Sequence, residues 1–534
     1  MVETVDAVVI GAGPNGLVAA NALADAGWEV LLLETNETVG GAVRSAEVTA
    51  PGFVSDLFSA FYPLAAASPV IKDLDLHEHG LRWVQAETVL AHALPDGRSA
   101  VLARDPDVTA AGLEEFGRGD GQAWLDMFAG WQQIRDPLLD AMFTPFPPVR
   151  AAIKLLRQSK IEGAMDLARL AVLPVRRLAQ EHFTGAGGAL LLTGNAMHAD
   201  VPPDASGSGV FGWLLAMLGQ DVGFPVPQGG AQKLSDALRS RLESRGGHVR
   251  TNCRVTSVVV SGGRAAGVRT DAGPIRARRG ILADVSAPTL YRDLLAGEQL
   301  PARLSDSLDR FQWDNSTLKV NWALNRPVPW DAAGAAGAGT VHFGVDVDGF
   351  VDFAADLSVG RDPQHPFVLF GQMTTADPTR SPSGTESAWA YTHVPRQMAA
   401  SPERLAEHVD RVERALEQLA PGFAHRVIAR QVQTPRDLEA MDANLVHGAI
   451  NGGTSYPHQQ LFFRPTPGLG RPDTPIPGLF LASASAHPGG GVHGACGWNA
   501  ARAVLAANRP GSTLRRQLID TAWGRLLHTA GRRG

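Results

Sequence analysis

The feature that most constrains this chain lies at its beginning. Residues 5–10, VDAVVI, form a short apolar run of the kind a strand buried on both faces requires. Gly11-Ala12-Gly13-Pro14-Asn15-Gly16 follows, then a helical pattern, LVAANALADAG, and a second apolar run, VLLL, that ends at Glu34. Strand, GxGxxG, helix, strand and terminal acid in register are a dinucleotide-binding fingerprint. Gly11 permits the tight turn, Gly13 lets backbone approach a pyrophosphate, and Gly16 lets helix and strand pack closely. The helix start at Pro14 and Asn15 offers unpaired N–H groups and a partial positive charge to phosphates. Glu34 ends the second strand, where a carboxylate accepts both hydroxyls of a ribose and disfavours a 2′-phosphate. The class predicted is α/β.

Two further segments choose among dinucleotides. Val39-Gly40-Gly41-Ala42-Val43-Arg44-Ser45 stands four residues beyond Glu34. Near the other end, PGLFLA at 477–482 reads as a turn and a buried strand, leading into SASAHPGGGVHGACGWNAARAVL, a Gly-rich loop that opens an Ala-rich helix. These segments resemble the phytoene desaturase and flavin amine oxidase superfamily. The string AHPGGGVxGAxGxNAA is closer still to the branch named pyridine nucleotide-disulfide oxidoreductase domain-containing protein 2. The resemblance implies non-covalent FAD rather than NAD. Gly40, Gly41, Ala42 and Arg44 would pass beside its pyrophosphate and ribitol, and Val255 would lie on the strand whose backbone meets the adenine. Gly491 and Val492 would put N–H groups at the flavin's pyrimidine edge. Many relatives carry Asp where Ala484-Ser485 stand, so the contact there falls to backbone or to the Ser485 hydroxyl.

The resemblance also implies a Rossmann-like FAD domain of glutathione-reductase type, interleaved with a mixed α+β substrate domain. FAD-binding parts are expected at 1–75, 222–295 and 430–534, and substrate-domain parts at 76–221, largely helical, and 296–429. Pro227-Gln228-Gly229-Gly230 resembles the family's return to the FAD domain, and Ser261-Gly262-Gly263-Arg264 reads as a hairpin turn.

Lys319 stands on a run, STLKVNWAL, that alternates Leu318, Val320, Trp322 and Leu324 against Thr317, Lys319 and Asn321. In the resembling oxidases a lysine on such a strand meets flavin N5 through a water, so Lys319 is a candidate catalytic residue. A salt-bridged or solvated strand lysine is the alternative. His487 and His493 flank the GGG turn and titrate near neutral pH, which makes them candidate general bases. Tyr62, His198 and Tyr456 are candidates for the substrate pocket. His198-Ala199-Asp200 and His77-Glu78-His79 lack the further ligands of a metal site, so no metal is expected. Cys253 and Cys496 offer neither a CxxC pair nor a disulfide framework.

Forty-eight basic against 54 acidic residues leave a formal charge of −6, which gives no footprint for nucleic acid. The start, MVETVD, lacks a signal core, so a cytoplasmic protein is expected. Basic residues nonetheless gather at 149–177. Arg150, Lys154, Arg157 and Lys160 share one helical face beside Ile153, Leu155 and Leu156. Such a helix suits peripheral contact with an anionic membrane, and a solvated lid, the preferred reading, accounts for it equally well.

The function expected is an FAD-dependent dehydrogenase or oxidase. It would move a hydride from a lipophilic small molecule to flavin N5, with oxygen or a quinone-like compound as final acceptor. The alternatives are a flavin amine oxidase, an FAD-dependent isomerase and a non-catalytic binding protein resembling the GDP dissociation inhibitors.

Overall fold

The computed structural model describes residues 2–527, apart from the side chains at 159–162 and several beyond 512. Two seven-stranded sheets organise it. In the first, Glu3–Ile10 lies parallel to Val30–Leu33 on one side and to Gly273–Ala283 on the other. His248–Arg250 extends the sheet beyond Val30–Leu33, and Leu479–Leu481 adds to Gly273–Ala283, both in parallel. All four residues of Val30–Leu33 are buried, as the apolar run requires of a strand covered on both faces. Val255–Ser261 and Arg264–Thr270 form an antiparallel extension of the same sheet. Their turn places Gly262 at φ 59° and Gly263 at φ 73°, the two left-handed residues that a tight hairpin demands.

The helix Pro14–Asp25 packs against Gln232–Ser244 and Ala495–Ala507. A Cβ at Gly497 would come within 1.9 Å of the Asn15 carbonyl, so glycine sets how closely the first and last of these helices cross. The two ends of the chain are thereby joined beside the Gly-rich turn.

The second sheet runs in the order Val427–Gln433, Ser316–Leu324, Glu386–Val394, Val368–Gln372, Ala338–Phe343, Thr88–Ala93 and Ser99–Ala103. One face carries Leu318, Val320, Trp322, Phe343 and Phe370, packed with Leu405, Val409, Val412 and Leu416 from the helix Pro402–Leu419. The alternation read in STLKVNWAL therefore holds, with Lys319 on the opposite face. Val427–Gln433 pairs with Ser316–Leu324, so residue 430, where a boundary is expected, lies inside a strand of the second sheet. Between 120 and 222 the chain is helical, with Asp120–Phe143, Val149–Leu170, Val175–His182, Ala186–Met197 and Ser208–Val222. Among the described residues no helix is long and apolar enough to cross a membrane.

Candidate active site

The first sheet ends in a cradle made of main chain. Gly13 precedes the helix in extended conformation and, lacking a side chain, makes no cap bond of its own; Gly16 N–H in the first turn donates to Asp284 Oδ2 (2.7 Å). A Cβ at Gly16 would meet the Gly11 carbonyl at 2.0 Å, one at Gly11 the Asp284 carbonyl at 2.7 Å, and one at Gly41 the Gly13 Cα at 3.0 Å. The GxGxxG turn and the Gly40-Gly41 pair thus touch each other with no side chain between them. Gly40 N–H donates to the Ala12 carbonyl (2.8 Å), and the Ala42 carbonyl accepts from Ser59 Oγ (2.7 Å). Arg44 clamps the pair, with Nε on the Gly41 carbonyl (2.9 Å) and Nη2 on the Met441 carbonyl (2.6 Å). Glu34 is fixed at the neighbouring strand end by Ala12 N–H (2.8 Å) and Asn36 N–H (2.9 Å). Cys253 N–H donates to the Glu34 carbonyl (2.9 Å), which brings the start of the Val255 strand to the same lip. Glycine backbone at a helix N-terminus, with the Asp284 carboxyl on Gly16 N–H and the Glu34 carboxylate one strand away, fits a dinucleotide.

The C-terminal loop completes the rim. Asn499 Nδ2 and His487 Nε2 reach the carbonyls of Phe143 and Thr144 at 3.1 Å, tying the loop to the helical region. Gly491, at φ 102°, and Val492 stay partly open. Ser485 Oγ donates its proton to the Gly452 carbonyl (2.8 Å).

Lys319 is buried on the face opposite the core. Its Nζ donates to the carbonyls of Asp56 and Phe58 (2.9 Å for the latter) and lies 5.0 Å from the Trp389 ring centroid. Burial is the main cause that lowers its pKa to about 7, against the pull of Asp56. The salt-bridged and solvated alternatives for Lys319 therefore both fail. Tyr391 stands directly beside it on the adjacent strand, stacked on Trp389, with His393 two residues on.

The two loop histidines separate. His493 Nδ1 accepts from Ala495 N–H (3.0 Å) at the start of the last core helix, and its ring packs on Phe143. His487 donates from Nε2 to the Thr144 carbonyl, which leaves its buried Nδ1 lone pair without a partner. Burial lowers both pKa values to about 4, so both rings are neutral near pH 7.

Among the expected pocket residues, Tyr62 belongs to the core instead. It is 1% exposed, its ring packs on Trp83 and its hydroxyl donates to the Ser59 carbonyl (2.9 Å). His198 and Tyr456 are half-buried. His198 pairs with His342 (2.9 Å between Nε2 atoms) rather than with Asp200, whose carboxylate holds Asn315.

Several residues at the site carry no sequence signal. Asp56 and Arg380, both fully buried, form an ion pair at 2.7 Å. Asp56 also accepts from Ser45 Oγ and Ala231 N–H, so it joins the Arg44 segment to the return at 227–231. Arg464 is buried and donates to the carbonyls of Asn451, Thr454 and Ala484, holding the loop beneath the GGG turn. Asp284 and Asp442 stand beside the Gly-rich turn. Asp284 had one legible sign, since ILAD ends an apolar strand in an acid just as VLLLE does.

A family model described as flavin containing amine oxidoreductase matches residues 15–505. Pyridine nucleotide-disulfide oxidoreductase domain-containing protein 2 of Mus musculus is 30% identical over 550 residues, covering 94% of this chain and 93% of the mouse protein. A lycopene-forming phytoene desaturase of Pseudescherichia vulneris is 24% identical, covering 91% of this chain and 96% of that protein. Among solved structures, putrescine oxidase with bound putrescine shares the fold at a TM-score of 0.60 and 17% identity, covering 94% of this chain and 99% of that one.

Proposed function

The chain belongs to the flavin-containing amine oxidoreductase family, and on that footing we propose that it dehydrogenates a C–H bond of a lipophilic small molecule drawn from a membrane surface. It is an FAD-dependent oxidoreductase. Bound FAD supplies the two-electron acceptor that no side chain can provide. Gly11, Gly13, Asn15, Gly16, Glu34, Gly40, Gly41 and Arg44 would hold its nucleotide half, and backbone at 484–492 its flavin end. The second sheet contributes a dry wall of Trp389, Tyr391 and Lys319, which excludes water and orients the substrate. Lys319, held by two carbonyls, has a third N–H when it is the ammonium, which would serve a water or oxygen molecule during reoxidation. His487 Nδ1 is the free lone pair for a leaving proton.

One observation carries the lipophilic reading. On the helix Val149–Leu170, Val149 (58% exposed), Ile153 (45%) and Leu156 (55%) stand in solvent among the exposed Arg150, Lys154 and Arg157. Exposed Leu461 and Phe462 continue the patch through Phe146, whose ring lies 5.6 Å from Phe462 and 6.3 Å from His487. A solvated lid has no use for that apolar row, whereas an interfacial helix buries it. The side chain of Lys160 lies outside the described residues.

Purified protein is expected to be yellow. Under anaerobic conditions it should bleach with unsaturated hydrocarbons presented in anionic vesicles and not with primary amines. Bleaching by amines alone would replace this reading with the amine-oxidase one.

A further inference from the structure

We propose that Asp284 takes part in FAD binding as a carboxylic acid, so that loading the cofactor above neutral pH draws one proton into the cradle. This inference rests on the FAD reading above and adds a cofactor-binding residue to it. Asp284 closes the strand Gly273–Ala283 next to the Gly-rich turn, and its own N–H donates to the Ile10 carbonyl (2.7 Å). Its Oδ2 accepts from Gly16 N–H at 2.7 Å, and a Cβ at Gly13 would lie at the same distance from that oxygen. The carboxyl group therefore occupies the place where this helix start would meet an anion. Pro14 brings no N–H and Gly16 N–H is taken, so Asn15 supplies the one uncommitted amide of the first turn. No protein donor among the described residues reaches Asp284 Oδ1.

The charges around this group are nearly all of one sign. Glu34 faces it from the second strand and Asp442 from the segment after the last strand of the other sheet. The buried Cys496 thiol faces it from the last core helix and is pushed up to about 12 mainly by burial. Asn444 contributes only a neutral amide, from Nδ2 to the Asp284 carbonyl (3.2 Å). Arg44, the cation at this site, is shared with Asp442 and Glu34. Burial first, and then Asp442 and Glu34, raise the Asp284 pKa to about 8 against the Gly16 hydrogen bond. A pyrophosphate would add two more negative charges to this dry pocket. Like charges at short range cannot all persist there, and the group already closest to neutrality is the one that holds the proton. As the acid, Asp284 keeps Oδ2 on Gly16 and offers a proton from Oδ1 to a phosphate oxygen.

The sign follows from linkage. Below pH 8 the acid is already protonated and FAD affinity is flat. Above it the apo-protein must take up a proton to bind, so affinity falls by up to about tenfold per pH unit. The test is equilibrium binding of FAD to apo-protein by flavin fluorescence from pH 6.5 to 9. The wild-type Kd should be constant to about pH 7.5 and weaken about tenfold by pH 9. Asp284→Asn, which mimics the acid form, should bind as tightly as wild type at pH 7 and stay flat to pH 9. Calorimetry of the wild type at pH 8.5 in two buffers of different ionisation enthalpy should show more than half a proton taken up per FAD, independently of how the variant folds. FAD bound with a flat profile and no proton uptake, or the same loss in Asp284→Asn, overturns this proposal alone. Failure to bind FAD at any pH overturns the flavin reading with it.

Discussion

The two sheets hold their halves of the site by opposite means. At the edge of the first, the atoms are mostly main-chain N–H groups and carbonyls, brought close by Gly11, Gly13, Gly16 and Gly41, with the Asp284 carboxyl set against Gly16 N–H. On the face of the second opposite its aliphatic core, they are side chains, Lys319 on one strand and Trp389, Tyr391 and His393 on its neighbour, with Lys319 directly opposite Tyr391, 72 residues further along the chain. A backbone site tolerates almost no added volume because nothing in it can rotate away. A side-chain site tolerates change of volume better than change of charge, because each buried charge has a particular partner.

Gly16→Ala should break the first half outright. Its Cβ would press on the Gly11 carbonyl at 2.0 Å. We expect protein without bound FAD and an unfolding free energy lower by about 4 kcal/mol, near the upper end for one substitution. Urea unfolding and flavin absorbance measure both. Arg380→Met tests the charge rule between the halves, since it strands Asp56 in a fully buried place. It should cost about 3 kcal/mol, and the double change Asp56→Asn with Arg380→Met should recover most of that.

Lys319→Met should leave flavin bound and slow reoxidation by oxygen about tenfold, about 1.4 kcal/mol of barrier. It also has a pH signature. Burial holds the lysine at about 7 against 10.5 unfolded, so unfolding takes up a proton between those values. Wild-type stability therefore rises with pH through that window, and the variant should flatten the rise in urea titrations at pH 7 and 9. The smallest effect belongs to His493. As the acceptor for Ala495 N–H it acts as a cap, so His493→Ala should cost about 1 kcal/mol while His493→Asn restores stability. Stopped-flow reduction unchanged in His493→Asn and slowed in His487→Ala would sharpen the division between the two histidines.

Legibility in the sequence follows the same division. GxGxxG, Glu34, the GG pair and the GGG loop were readable because a backbone site forces glycine at fixed spacing, and the structure brings the GG pair against the GxGxxG turn. The alternation around Lys319 told which way the side chain points and nothing of what it meets. For Ser485 and Tyr62 nothing in the sequence set the direction of the hydroxyl, which depends on which carbonyl folds next to it, here Gly452 and Ser59. His198 shows the same dependence, pairing with His342, 144 residues away.

By itself, then, the sequence determined an α/β protein with a dinucleotide fingerprint at its start, because turns and close approaches leave their mark residue by residue, and its resemblance to a flavoprotein superfamily named the dinucleotide. Only the tertiary structure decided that Asp56 is matched by Arg380, that Lys319 is dry and doubly held, and that Asp284 stands among acids at the helix start. Those facts depend on distances between residues remote in the chain. Burial and the charge of whatever lies across the contact fix their energies, and neither is written at the position itself.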